Sequence, residues 1–83
     1  MYLHLGSDVV ITKKSIVGIF DLDTATISKH TKKYLALAEK EGRVVNVSYE
    51  LPKSFVVCIE NGQAKVYISQ ISSQTLSKRF TAR

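Results

Sequence analysis

The chain has 83 residues, 45% hydrophobic and 23% charged, with twelve Lys and Arg against seven Asp and Glu for a formal charge of +5. Leu, Ile, Val and Phe supply 26 residues, enough apolar surface to exclude a disordered chain; four Gly and one Pro exclude collagen-like and proline-rich classes. No apolar run nears the roughly 18 residues of a membrane-spanning helix, and no signal-peptide pattern opens the sequence.

The length predicts one domain, residues 1–83. Cys58 is the only cysteine and cannot form an internal disulfide, so the expected compartment is the reducing cytoplasm. The positive excess is uneven. Residues 1–50 carry seven basic and six acidic groups, and residues 51–83 carry five basic and one acidic. Such a balance permits an anionic partner. A domain this small buries only about 60–65% of its unfolded surface, and oligomerisation is a common remedy.

In chain order, Tyr2–Leu5 alternates, with Leu3 and Leu5 on one face, and Gly6-Ser7-Asp8 reads as a turn. Val9–Thr12 is a second strand, and Lys13-Lys14-Ser15 an exposed loop. Ile16–Leu22 is a third strand, with Ile16, Phe20 and Leu22 on one face and Val17 and Ile19 on the other. Apolar residues on both faces of a strand call for cover on both, so a homo-oligomer is expected. Ser28 is positioned as an N-cap and Gly42 as a C′ residue. They bracket a helix over 29–41 whose Thr31, Tyr34, Leu35 and Ala38 follow helical spacing, flanked by Leu37. Glu39 precedes Arg43 by four residues, an ion-pair spacing worth about 0.2–0.5 kcal/mol.

Residues 43–49 form a further strand, with Val45, Val47 and Tyr49 on one face, and Pro52 ends it. Asn61-Gly62 then lies between two β-rich runs, the preferred pair for a type I′ hairpin. A two-residue turn places Glu60 opposite Gln63, Ile59 opposite Ala64, Cys58 opposite Lys65, Val57 opposite Val66, Val56 opposite Tyr67 and Phe55 opposite Ile68. One face is continuously apolar. The other, with Val56, Cys58 and Tyr67, is half apolar and suited to a subunit contact. Ser72 or Ser73 caps a last helix over 73–80, in which Leu76 and Phe80 are spaced to dock together. The class is α+β: a small, mostly antiparallel sheet of about five short strands with two helices.

Catalytic and metal-binding patterns are weak. His4 and His30 fall in different elements, and no metal-ligand spacing occurs. Cys58 reads as a buried thiol in a hairpin with no activating neighbour. Asp21 and Asp23 share a face if the strand continues, but a turn explains them as well as acid–base or cation chemistry does. No glycine-rich phosphate loop is present, so neither an enzyme nor a cofactor is expected. Basic groups remain. Lys13-Lys14, Lys53 and Lys78-Arg79-Arg83 can converge on one surface, and Lys29, Lys32 and Lys33 form a second cluster. No helix-turn-helix or zinc-finger pattern reads bases. Repeated phosphate contact, multiplied by avidity in an oligomer, stays open.

Tyr2-Leu-His-Leu-Gly6, Ile16-Val-Gly-Ile-Phe-Asp21, Pro52-Lys-Ser54 with its following β-run, and Ile71-Ser-Ser-Gln-Thr-Leu76 together resemble the bacterial extracellular matrix regulatory protein family (RemA/RemB). The resemblance runs over about residues 2–80. It implies a DNA-binding transcriptional regulator of extracellular matrix (biofilm) genes, without enzymatic activity, built as a ring of identical subunits with DNA following its rim. The family's phosphate-contacting positions fall in the loop after the second strand, here Lys13-Lys14-Ser15, and in the segment Tyr49-Glu-Leu-Pro-Lys53. The expected arginine pair there falls on Leu51 and Pro52, leaving Lys53 nearby. Lys13, Lys14 and Lys53 are therefore the expected DNA-binding residues. Lysine offers a point charge and no bidentate fork, so the contacts should be weaker than arginine would make. The alternative is a protein-interaction or structural module of the same fold with no DNA affinity of its own.

Overall fold

Glycine-containing turns and period-two burial place the strands. The computed structural model describes residues 1–22 and 29–82. Chain order is β1 (Tyr2–Gly6), β2 (Val9–Thr12), a 3-10 turn (Lys13–Ser15), β3 (Ile16–Asp21), α1 (Lys29–Lys40), β4 (Val44–Asn46), β5 (Ser54–Glu60), β6 (Gln63–Ser69) and α2 (Ser73–Thr81). The class is α+β, as expected. The described strands, however, form two sheets where the sequence suggested one: a β1–β2 hairpin, and a four-stranded sheet in the order β3-β5-β6-β4. The 3-10 turn redirects the chain between β2 and β3, so these strands do not pair. Only β4 and β6 run parallel; the other pairs are antiparallel.

The β5–β6 hairpin organises the rest. Its register is the predicted one, pair by pair from Phe55–Ile68 to Glu60–Gln63. Asn61 (φ 53°) and Gly62 (φ 79°) both adopt the positive φ of a type I′ turn. Alternation then sends Val56, Cys58 and Tyr67 into one core with Leu3, Leu5 and Ile11 of the β1–β2 hairpin, Val47, and Leu76 of α2. Phe55 and Val66 point the other way and meet Ala38 of α1, with Tyr34, Leu35, Val44, Val57 and Ile68 packed around them. The face of Val56, Cys58 and Tyr67 is thus no subunit contact: the chain's own first hairpin buries it.

Two fully buried serines lock this arrangement at the end of the hairpin. Ser54 and Ser69 are paired across β5 and β6. Ser69 Oγ donates to the Leu5 carbonyl at 2.7 Å and accepts from the Ile71 amide at 3.0 Å, while Ser54 Oγ donates to the Ile71 carbonyl at 2.7 Å. Buried hydroxyls that satisfy backbone groups in this way tie β1 and the entry to α2 onto the sheet.

Three departures from the sequence reading have local causes. The β3–β5 register shifts between Ile16 and Gly18, a bulge that inserts one residue and inverts the alternation before it. Ile16 therefore joins Ile19 against the first core and does not share a face with Phe20 and Leu22. Phe20 instead stacks on Phe55, ring centroids 5.0 Å apart, and its ring lies over Gly18, where a Cβ would come within 2.6 Å of Cε2. The second departure is that β4 stops at Asn46. Val47 still donates to the Ile68 carbonyl, but Ser48 Oγ then accepts from the Glu50 amide, a local turn that carries Tyr49 into solvent. In the third, helix α1 ends at Gly42 (φ 72°), so Arg43 leaves the helical face and does not meet Glu39. Its guanidinium binds Glu41 (2.6 Å) and the Ala64 carbonyl (2.9 Å).

Ser72 caps α2, its Oγ accepting from the Thr75 amide at 3.2 Å. Leu76 is fully buried while Phe80 is partly exposed. The predicted N-cap Ser28, the carboxylate Asp23 and the terminal Arg83 lie outside the described residues.

A Cβ on Gly62 would meet nothing within 4 Å, so substitution there tests backbone conformation alone. Gly62→Val should lower stability by about 1–3 kcal/mol, and Gly62→Asn by less, because Asn tolerates the left-handed region. Denaturant unfolding of both variants checks this; equal stability of Gly62→Val and the wild type would refute the turn's role.

Candidate nucleic-acid interface

The basic residues sort by where β3 begins and ends. At its start, the 3-10 turn carries Lys13 and Lys14. The Lys13 amide donates to the Met1 carbonyl, and its Nζ donates to the Ala82 carbonyl at 2.9 Å. An ammonium there meets the negative end of the α2 dipole and one of its unpaired carbonyls. The last turn of α2 also bears Lys78 and Arg79, and Arg79 Nη1 donates to the His4 carbonyl at 3.3 Å. Lys13, Lys14, Lys78 and Arg79 thus meet around one end of the molecule. Lys14 is exposed and has no ion pair among the described residues.

Lys53 sits at the other end of β3. Its backbone is held by two hydrogen bonds of 2.9 Å, from its amide to the Ser69 carbonyl and from the Leu22 amide to its own carbonyl. Its side chain is exposed. Five steps of strand from Ile16 to Asp21 separate the two regions by roughly 17 Å. One chain brings Lys13 and Lys14 together with the α2 cations and leaves Lys53 apart. Lys29, Lys32 and Lys33 are exposed along α1, a third patch.

His4, Tyr67 and Cys58 each have a structural partner. His4 Nε2 donates to the Ser7 carbonyl at 2.8 Å and closes the β1–β2 turn. Tyr67 donates its hydroxyl to Glu60 Oε2 at 2.8 Å; burial first, and this bond second, raise the phenol's pKa. Lys65 lies over the Tyr67 ring and reaches Glu60 at 4.0 Å. Burial likewise pushes the Cys58 thiol up, partly opposed by a hydrogen bond with Ser15. Among the described residues no three His, Cys, Asp or Glu side chains gather to hold a metal, and no helix is long and apolar enough to cross a membrane.

Two features escaped the sequence reading. An open apolar groove of about 340 Å³ runs between β3 and α1, lined by Val17, Phe20, His30, Tyr34, Phe55 and Val57. The loop after β4 exposes Tyr49 and Leu51. The excess of apolar residues on β3 was the available signal for the groove.

Comparison with known proteins adds to this geometry. The profile of a family described as RemA-like, extracellular matrix regulatory protein A-like, matches residues 2–80. The chain is also 40% identical over 79 residues to extracellular matrix regulatory protein B of Bacillus subtilis (strain 168), covering 95% of this chain and 89% of that protein.

Burial predicts that Cys58 resists alkylation. A raised pKa keeps the native thiol protonated at a pH near 8, where an unfolded thiol is partly thiolate. Iodoacetamide should modify the native chain at least about tenfold more slowly than the urea-unfolded chain. Equal rates would show the thiol to be accessible and ionised.

Proposed function

Because the chain belongs to the RemA-like family of extracellular matrix regulatory proteins, we propose that it is a non-enzymatic, cytoplasmic transcriptional regulator of extracellular matrix genes. It binds duplex DNA as a homo-oligomer, with Lys13, Lys14 and Lys53 of each subunit on phosphates. The observation that carries this reading is the pair of exposed ammonium groups, Lys14 and Lys53, borne by backbone-pinned loops at the two ends of β3 in a chain of charge +5.

The separation has a mechanical consequence. Roughly 17 Å is about half of the 34 Å helical repeat, so two loops of one subunit contact phosphates that are not neighbours on one strand. Three lysines per subunit give weak binding alone. Several subunits acting together raise the affinity through effective concentration. Phosphate contact of this kind sets position and strength and carries no base sequence directly. Lys13 must release the Ala82 carbonyl to reach a phosphate, so Lys14 and Lys53 contribute more than it does.

The protein-interaction reading has its own observation, the apolar groove beside β3. Salt separates the two, since an apolar contact lacks counterion release.

Replacing Lys13, Lys14 and Lys53 together with Ala should weaken duplex binding similarly for unrelated sequences. The slope of log affinity against log salt should flatten by about 0.9 per lost contact in each engaged subunit. Among single variants, Lys14→Ala and Lys53→Ala should exceed Lys13→Ala. Fluorescence anisotropy on labelled duplex checks this, with chain mass and melting verified for each variant. Wild-type affinity and slope in the folded triple variant would remove these residues from the interface and move attention to Lys29, Lys32 and Lys33, or to Lys78 and Arg79.

A further inference from the structure

The cations gathered where α2 ends are not equivalent. Lys13 is spent on the helix itself. Its Nζ donates to the Ala82 carbonyl at 2.9 Å, and the Ala82 amide closes on the Lys78 carbonyl at 3.0 Å. An ammonium on this carbonyl offsets the negative end of the helix dipole. Moving it to a phosphate would strip the helix end of its counter-charge. Lys13 is also the half-buried member of the group, whereas Lys14, Lys78 and Arg79 are exposed.

Arg79 differs in kind. Its Nη1 donates to the His4 carbonyl at 3.3 Å, a long bond that leaves most of the guanidinium's donors over. A carbonyl carries no net charge, so this contact ties the side chain to β1 without neutralising it. Arg43, by contrast, is bound by Glu41. Among the described residues Arg79 has no carboxylate partner. Its mount is firm, because Ser72 caps the start of α2 and Leu76, one turn before Arg79, is fully buried. A planar guanidinium can grip a phosphate through two parallel hydrogen bonds, which an ammonium cannot.

We propose that Arg79 is a DNA-contacting residue. Its remaining donors take a phosphate of the duplex beside Lys14, while Lys13 stays on Ala82 and neutralises a helix end that would otherwise repel the anion. Each subunit then meets the duplex through Arg79 and Lys14 at one end of β3 and Lys53 at the other. This deepens the duplex-binding reading above, on which it rests, and gives Arg79 the place there assigned to Lys13.

Fluorescence anisotropy on one labelled duplex at several salt concentrations tests it, with mass and melting recorded for each variant. Arg79→Gln keeps an N–H donor for the His4 carbonyl and loses the charge. It should weaken binding roughly tenfold and flatten the salt slope by about 0.9 per engaged subunit, with melting near that of the wild type. Arg79→Lys keeps the charge and loses the fork, so it should hold the slope and lose roughly threefold in affinity. That comparison remains readable even where Arg79→Gln melts early. Lys13→Ala should lower the melting temperature and cost less affinity than Arg79→Gln. Lys40→Gln, an equal loss of charge at the end of α1, should leave the slope unchanged. Wild-type affinity and slope in Arg79→Gln, alongside weakened binding by Lys14→Ala, would reduce Arg79 to a support for the His4 carbonyl and leave the DNA reading standing. A larger loss in Lys13→Ala, or an equal one in Lys40→Gln, would likewise overturn the assignment. A wild-type chain that binds no duplex at low salt would remove both.

Discussion

The β5–β6 hairpin is apolar on both faces, and most of the structure follows from covering them. Asn61 and Gly62 set a register in which period-two alternation sends Val56, Cys58 and Tyr67 one way and Phe55 and Val66 the other. A sheet of this kind needs cover on both sides. The chain meets the need unequally. The β1–β2 hairpin and α2 bury the first face, locked by Ser54 and Ser69 onto Leu5 and Ile71. On the second face α1 packs through Tyr34, Leu35 and Ala38, and among the described residues the β3 side stays open over Val17 and Phe20.

The same layout disperses the positive charge. The 3-10 turn that splits the two sheets carries Lys13 and Lys14 outward and brings Lys13 to the end of α2, near Lys78 and Arg79. The return of the chain from β4 to β5 sets Lys53 at the far end of β3. Among the described residues a single chain therefore has no concentrated basic cleft of the sort that binds a duplex tightly by itself. It has several small cationic points, which suits repeated shallow contact along a backbone by many copies.

Much of the fold was legible because its signals are local. Asn61-Gly62 specified a turn, and the turn specified six cross-strand pairs. Ala38, Leu35 and Tyr34 followed helical spacing onto the core. The bulge at Val17 was not legible, because Ile16, Gly18, Phe20 and Leu22 fit an uninterrupted alternation equally well. Tyr49 fell on the strand face of Val45 and Val47 for the same reason: it continues their alternation, and only the Ser48–Glu50 turn carries it out. The two-sheet division depends on which strands pair, a long-range choice that no short window contains. Of the candidate interface, residue types were readable but convergence was not. Lys13 meets Ala82 across 69 residues, and Lys53 is excluded from that cluster by the length of β3.

The most direct measurement is the affinity of the wild-type chain for duplex DNA across a range of salt, at a known oligomeric state. Phosphate neutralisation by joined copies predicts a linear fall of log affinity with log salt, steeper than the slope of about 2.7 that three contacts from one chain can supply. Absence of binding at low salt, or an affinity indifferent to salt, would contradict a nucleic-acid role and leave a protein-interaction module in its place.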